Sequence, residues 1–377
     1  MTMKKIIILT IVMLLVLFVY GEEPLKKEFP MEPGKLLDID LKTGGSLHIS
    51  GWEKSLVTVE ANYKGGDAEN WDITFDKDNE GITIESRYKG SGHKKNGSVD
   101  FTIKVPQKFD IRLKTMGGDI AIDQVEGKIR GKTMGGELKL SHLKGTLEMK
   151  TMGGEISLTD SDVDGNVKTM GGRVLLENVV GNVSGNSMGG NVIYKNVKSR
   201  SGESTGKVVQ ISTMGGAINV SDAPFGANVH TMGGNIHIKS ANDFVKAKTM
   251  GGEITIDAID GWINATTMGG NINVTMTGDP EKGKRDVNLT TMGGNITLTV
   301  PDGLSMDIDL EIECTKDSDK YTISSDFAIK KETSEEVDKE SKSPRTHIHG
   351  KGITKDGKHK IKIKTVNGNI QLKRSSK

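Results

Sequence analysis

One tetrapeptide recurs ten times in this chain with almost no change. Thr-Met-Gly-Gly begins at Thr115, Thr133, Thr151, Thr169, Thr213, Thr231, Thr249, Thr267 and Thr291, and Ser-Met-Gly-Gly begins at Ser187. The starts are 18, 18, 18, 18, 26, 18, 18, 18 and 24 residues apart. A short fixed period means that each unit is one coil of a stacked, quasi-one-dimensional fold. Eighteen residues cannot hold a helix, two strands and their turns. Within Lys132–Lys150, Leu138 and Leu140 alternate with polar residues, and Leu143, Gly145, Leu147 and Met149 repeat the alternation. Each unit therefore carries two short strands. The prediction is an all-β fold: a parallel β-solenoid of 18-residue coils, right-handed by the preference of parallel crossovers, with β caps at both ends. Ten coils at about 4.8 Å make a rod on the order of 45 Å long. Its core is the inward column Ile120/Ile122, Leu138/Leu140, Ile156/Leu158, Val174/Leu176 and onward to Ile296/Leu298.

The flanking segments differ. Residues 1–21 read as a signal peptide: Lys4 and Lys5 precede an apolar run from Ile6 to Tyr20, with Val19 and Gly21 small enough for a cleavage site. An uncleaved anchor is the alternative. Residues 22–110 lack the tetrapeptide and alternate in Leu36–Leu41, Ser46–Ile49, Leu56–Ala61, Ile82–Ser86 and Asp100–Val105, with Trp52 and Trp71 as expected core anchors. They are assigned to an N-terminal β cap, residues 111–300 to the ten coils and residues 301–377 to a C-terminal β cap. Leu304–Cys314 reads as a long strand, the charged stretch near 330–345 as a loop, and Thr365-Val366-Asn367-Gly368-Asn369-Ile370 as a degenerate eleventh copy.

The tetrapeptide is the expected corner of each coil. Its glycine pairs are Gly117-Gly118, Gly135-Gly136, Gly153-Gly154, Gly171-Gly172, Gly189-Gly190, Gly215-Gly216, Gly233-Gly234, Gly251-Gly252, Gly269-Gly270 and Gly293-Gly294. They supply positive φ or a close chain approach that a Cβ would forbid. Ten outward methionines would form a large apolar stripe, which soluble proteins avoid, so Met is expected inward; an inward Thr ladder is the alternative. The flanks covary: Lys114 with Asp119, Lys132 with Glu137, Lys150 with Glu155 and Lys248 with Glu253, while uncharged first flanks go with Asn191, Asn235, Asn271 and Asn295. An acid facing a lysine across the turn would offset repulsion between stacked lysines. The Lys168 and Arg173 unit breaks that rule. The two longer units add residues near Ser199–Gly206 and Thr277–Lys284, both expected on one side of the rod.

At these residues the chain resembles the bacterial putative-adhesin family of β-solenoids. Gly45–Trp52, Val105-Pro106, the repeated Thr-x-x-Gly-x-Ile corner and the closing Thr365–Ile370 carry the resemblance. It implies the solenoid fold and a surface role. It brings no catalytic residues, and the near-invariant Met-Gly-Gly corners depart from the family's usual corner.

Function classes narrow by chemistry. Lys plus Arg is 51 against 50 acids, so no strong field favours nucleic acid. A single cysteine, Cys314, excludes an internal disulfide framework. The glycine pairs lack the Lys and helix of a phosphate loop. His347 with His349, and His230 with His237, read as surface histidines, since zinc needs three or four converging ligands. Core packing is preferred over Cu(I) binding for the methionines, and a single Thr rank argues against ice binding. No cofactor is expected. The favoured reading is a non-enzymatic, exported, adhesin-like binder or envelope scaffold, located in the periplasm, at the cell surface or outside the cell. Its expected partner is a polysaccharide or a cell-surface protein, and no transmembrane segment remains after signal removal. Asn191, Asn235, Asn271 and Asn295 form the candidate ligand-binding face, because amides both donate and accept hydrogen bonds. The alternative is a carbohydrate-active β-helix enzyme, a polysaccharide lyase or hydrolase, which needs convergent acids in a cleft.

Overall fold

The computed structural model describes residues 24–64, 70–89, 97–198, 200, 208–315, 318–337 and 344–375. The signal segment 1–21 and most of the Ser199–Gly206 insertion lie outside them. The described residues are all-β, with 31 strands in one hydrogen-bonded sheet, mostly in parallel; no α-helix occurs among them, and a three-residue 3-10 turn lies at Ser318–Lys320.

The period becomes register. Glu126–Thr133 pairs in parallel with Lys144–Thr151, residue for residue at a separation of 18. Thr151 lies beside Thr169, and Thr169 beside Ser187. The second strand of each unit does the same: Leu138 pairs with Ile120 and Ile156. The 24-residue unit keeps register too, since Ile263 pairs with Val287 and Ile272 with Ile296. Identical backbones stacked in register satisfy every ladder N–H and C=O along the array.

Alternation along each strand then sends one column inward. Ile120, Ile122, Leu138, Leu140, Ile156, Leu158, Val174, Leu176, Ile296 and Leu298 are all essentially inaccessible, as the sequence predicts. Where volume changes, a neighbour compensates. Tyr194 takes a place held by Leu in other units, and Gly185 leaves room for the side chains of Leu176 and Val174: a Cβ there would lie 2.5 Å from the first and 2.7 Å from the second. The Gly185 N–H donates to the buried Tyr194 hydroxyl, whose acidity burial suppresses.

Strands continue beyond the tetrapeptide units at both ends. Leu36–Leu41 pairs with Asp110–Thr115, and Leu47–Trp52 with Ile120–Asp123, forming one more unit below the first tetrapeptide. Antiparallel pairings then take over, Leu56–Lys64 on Ser98–Pro106 and Trp71–Lys77 on Gly81–Tyr88. Trp71 is buried, but Trp52 is only half-buried, with Lys54 and Lys104 over its ring. Trp52 is therefore a surface aromatic and not a core anchor. At the other end Thr365 pairs with Thr291 and Ile370 with Ile296, so the eleventh copy stacks on the tenth.

The charged stretch near 330–345 departs from expectation. Lys330–Val337 is a strand, antiparallel to Pro344–Thr354. Lys330–Glu336 is solvent-exposed at nearly every position, so no buried face leaves a period-two trace.

Candidate functional site

The corner is inverted relative to expectation. All nine tetrapeptide threonines and Ser187 are buried, at most 4% exposed, while the ten methionines that follow are 42–56% exposed. The preceding strand explains this. Leu147 and Met149 point in, Lys150 points out, and the alternation continues to Thr151 in and Met152 out. Polarity inside is met by hydrogen bonding. The Thr169 hydroxyl donates to the carbonyl of Gly154, fifteen residues earlier and one unit down, and accepts from Gly172 N–H. Ser187, Thr213, Thr231, Thr249 and Thr267 repeat the pattern.

The two glycines of each pair also differ. A Cβ on Gly154 would lie 1.7 Å from the Gly136 carbonyl, and Gly172, Gly190, Gly216 and Gly234 show the same collision at 2.0–2.1 Å. Gly118 and Gly136 also have positive φ. The first glycine has neither constraint at Gly117, Gly135 and Gly153: a Cβ there meets nothing within 4 Å. Close approach at the second glycine is the recurring requirement.

Outside the corner, the methionines stand in a row. Met232 N–H donates to Met214 C=O at 3.1 Å, Met250 to Met232 at 3.0 Å and Met268 to Met250 at 3.0 Å. Met134, Met152, Met170, Met188 and Met214, with Lys132, Lys150 and Lys168, line a groove of about 720 Å³.

The flank column beside the glycines binds backbone. Asn191 Oδ1 accepts Ala217 N–H, Asn235 Oδ1 accepts Glu253 N–H, Asn271 Oδ1 accepts Asn295 N–H and Asn295 Oδ1 accepts Asn369 N–H. Asp119 does the same for Glu137. The four asparagines are exposed, but their carbonyl oxygens tie neighbouring units together. The expected pairing of Lys132 with Glu137 does not form among the described residues: Glu137 pairs with Lys139, and Lys150 with Glu148. The exceptional Arg173 pairs with Glu155 of the unit below at 2.5 Å.

A second corner had no tetrapeptide to mark it. Gln124, His142, Asp160, Asn178 and Asn196 recur every 18 residues with φ between 49° and 58°. Asn and Asp tolerate this left-handed region better than most residues. Asn196 Nδ2 donates to Asn178, and Asn178 Nδ2 to Asp160. At the same level His142 meets Asp123 at 2.8 Å. Burial alone would raise the Asp123 carboxyl, but hydrogen bonds from His142 and Ser141 outweigh it and hold it low. The same bond raises His142.

The Thr277–Lys284 insertion is anchored from within. Arg285 is 1% exposed; its guanidinium donates to Asp260 Oδ1 and to the carbonyls of Thr277, Asp279 and Lys282. Arg200, the described residue of the other insertion, bonds Asp162 and Asp164. Asp162 and Asp260 both lie eleven residues after their unit's threonine, Thr151 and Thr249. Beside Thr277–Lys284 a groove of about 490 Å³ is lined by Asn242, Asp243, Asp260, Gly261, Trp262, Lys282, Gly283 and Lys284. Trp262 stacks on Phe244 at 5.1 Å, with Lys246 and Lys284 near its ring. None of the four candidate asparagines lines this groove. Trp262 escaped the sequence reading because a single aromatic among period-two residues carries no positional signal.

The C-terminal histidines have a third companion. His347 and His349 stack at 6.0 Å, and with Glu311 their ligand atoms lie within 4.8 Å of one another. Three such donors could hold a divalent cation. Lys364 Nζ sits 3.1 Å from the same Glu311 carboxylate. Burial would raise Glu311, but the Lys364 bond outweighs it and keeps the group ionised below its usual range. His237 pairs with Asp257 at 2.8 Å; His230 is half-buried, and no ion pair to it forms among the described residues.

No family model matches the chain, and no curated protein matches it. Solved structures do. A putative cell adhesion protein from Clostridium sporogenes ATCC 15579 is 13% identical over 94% of this chain and 100% of its own, with a TM-score of 0.19. A putative adhesin from Bacteroides fragilis NCTC 9343 is 11% identical over 93% and 98%, at 0.20. A putative lipid binding protein from Parabacteroides distasonis ATCC 8503 is 13% identical over 93% and 98%, at 0.23. The neighbours thus bear adhesin or lipid-binding names, at superpositions too low to bear on function. No helix among the described residues is long and apolar enough to cross a membrane.

Proposed function

We propose that this chain is an exported, non-enzymatic β-solenoid that works as a surface-binding scaffold, with residues 22–110 and 301–377 as its caps. The residue-for-residue register of successive units from Glu126 to Ser187 supports the solenoid reading. The groove at Trp262 carries the binding reading. An aromatic face bordered by Asn242, Asp243, Asp260 and two lysines offers an apolar platform with donors and acceptors at its rim, which suits a polysaccharide. The anchored Thr277–Lys284 segment forms one wall. Asn191, Asn235, Asn271 and Asn295 extend the polar surface along the array through amide N–H groups not used by the backbone contacts above.

Retention on polysaccharide and cell-wall fragments tests this. Trp262→Ala, and separately Asn235→Lys with Asn271→Lys, should weaken retention at least tenfold without changing the melting temperature. Undiminished retention by both folded variants would reject this surface. Intact mass of protein recovered from envelope and culture fractions tests export: the mature chain should begin near Glu22, and a mass that includes residues 1–21 would favour the anchored form.

A further inference from the structure

The four positions of the tetrapeptide are not equal before the fold. The threonine is needed for its hydroxyl ladder, and the second glycine for its close approach. The methionine is not: its side chain is about half exposed in every copy. The first glycine is not, at Gly117, Gly135 or Gly153. Yet Met-Gly persists through all ten copies while the strand residues beside it have diverged. Inheritance by duplication would preserve both alike.

The residue type narrows what is being kept. Leu, Ile and Val fill nearly all of the inward column, so hydrocarbon is available to this chain at every unit. Of 14 methionines after residue 21, ten stand at this one outward position. What Met offers over Leu is a thioether, a soft neutral donor suited to Cu(I) and similar d10 cations. The geometry provides more than one donor. Backbone hydrogen bonds from Met to Met join Met188, Met214, Met232, Met250 and Met268. The in-register pairs of the preceding threonines and Ser187 set Met134, Met152, Met170 and Met188 side by side at the same adjacent-strand spacing, about 4.8 Å. Two metal–sulfur bonds of about 2.3 Å placed in line span about 4.6 Å. Three flexible torsions let each side chain close the difference. At Gly117, Gly135 and Gly153 the first glycine leaves open space next to the methionine in the chain.

We propose that the methionine row is a linear array of binding sites for Cu(I), each ion held between thioethers of successive units. Thioethers do not titrate, so this binding is independent of protonation, unlike any at Glu311, His347 and His349. The proposal does not depend on the polysaccharide reading.

Silver(I), a redox-inert probe of the same softness, tests it by native mass spectrometry of the purified full chain. The wild type should retain several ions, up to about five at one per pair of ten thioethers, equally at pH 7 and pH 5. Met134→Leu, Met152→Leu, Met170→Leu, Met188→Leu and Met214→Leu combined keep the ridge apolar and should lose about half the ions with no change in melting temperature. His347→Ala with His349→Ala should remove at most one ion. Competition with a chromophoric Cu(I) chelator should rank the variants in the same order. An ion count unchanged in the five-Leu variant, or no ion retained by the wild type, would overturn the proposal. So would equal adsorption of wild type and five-Leu variant to phosphatidylcholine vesicles without silver retention, which would assign the ridge to an apolar partner.

Discussion

The hydroxyl of Thr151 donates to the carbonyl of Gly136 at 3.0 Å and so fastens one repeat to the one beneath it. It also accepts Gly154 N–H at 3.3 Å. The side chain is buried, so both backbone groups depend on it.

Removing that hydroxyl strands two polar groups in the interior. Thr151→Val should cost about 1–3 kcal/mol, read as a shifted denaturation midpoint. Thr151→Ser should cost far less, because Ser187 already makes both bonds with a plain hydroxymethyl group. Equal losses in the two variants would show that the methyl, not the hydroxyl, matters.

The two glycines at one corner should respond differently. Gly154→Ala drives a Cβ into the Gly136 carbonyl and should destabilise by several kcal/mol or prevent folding, as overpacked backbone contacts do. Gly153→Ala meets open space and should fall within about 0.5 kcal/mol of wild type. Paired thermal melts decide this, and a comparable drop in both would contradict the geometry.

Arg285 should govern the Thr277–Lys284 segment. Arg285→Met leaves the carbonyls of Thr277, Asp279 and Lys282 without their donor and should cost on the order of 2 kcal/mol or more. Limited trypsin digestion should cut at Lys282 or Lys284 earlier in the variant than in the wild type. Unchanged cleavage would show that the segment is held by something else.

His359 predicts an acid-side loss of stability. Burial, aided by Lys358, holds its imidazole below the ordinary 6.5. Asp286 and Asp356 oppose the shift, and Arg285 adds to it. The unfolded chain therefore takes up the proton first. The contribution is complete above pH 6.5 and is lost as the pH falls through the folded value. Urea midpoints of His359→Gln should fall less steeply than wild type between pH 6.5 and about 5. Parallel slopes would remove His359 from the account.

Period and alternation alone made the array, its inward column and the eleventh copy at Thr365 legible. The orientation of Met152 was not, because the general aversion to apolar stripes was weighed above the strand alternation, which runs through Met149, Lys150 and Thr151 and leaves Met152 outward. The second corner left a trace, Asp160, Asn178 and Asn196 at 18-residue spacing, that the glycine pairs overshadowed. Asn235 looked like a ligand donor because its exposure was readable and its bond to Glu253 N–H was not. Lys330–Val337 hid as a loop because charge on both faces erases alternation. The aromatic groove depends on Trp262 meeting Phe244 across units, a pairing that requires register as well as period.

The final strands do not follow the array in chain order. His359–Val366 lies between Val287–Thr291 and Met306–Cys314, and Ile370–Arg374 lies between Ile296–Val300 and Ile323–Ser325. The segment from 306 to 325 must therefore wait, during synthesis, for residues made some fifty positions later. Until Arg374 has emerged from the ribosome, the tenth repeat presents a bare parallel edge whose ideal complement is another copy of itself. A chain truncated before His359 would leave that single edge open, and because antiparallel strands occupy the N-terminal end, it would be expected to pair edge to edge with one other copy and stop there.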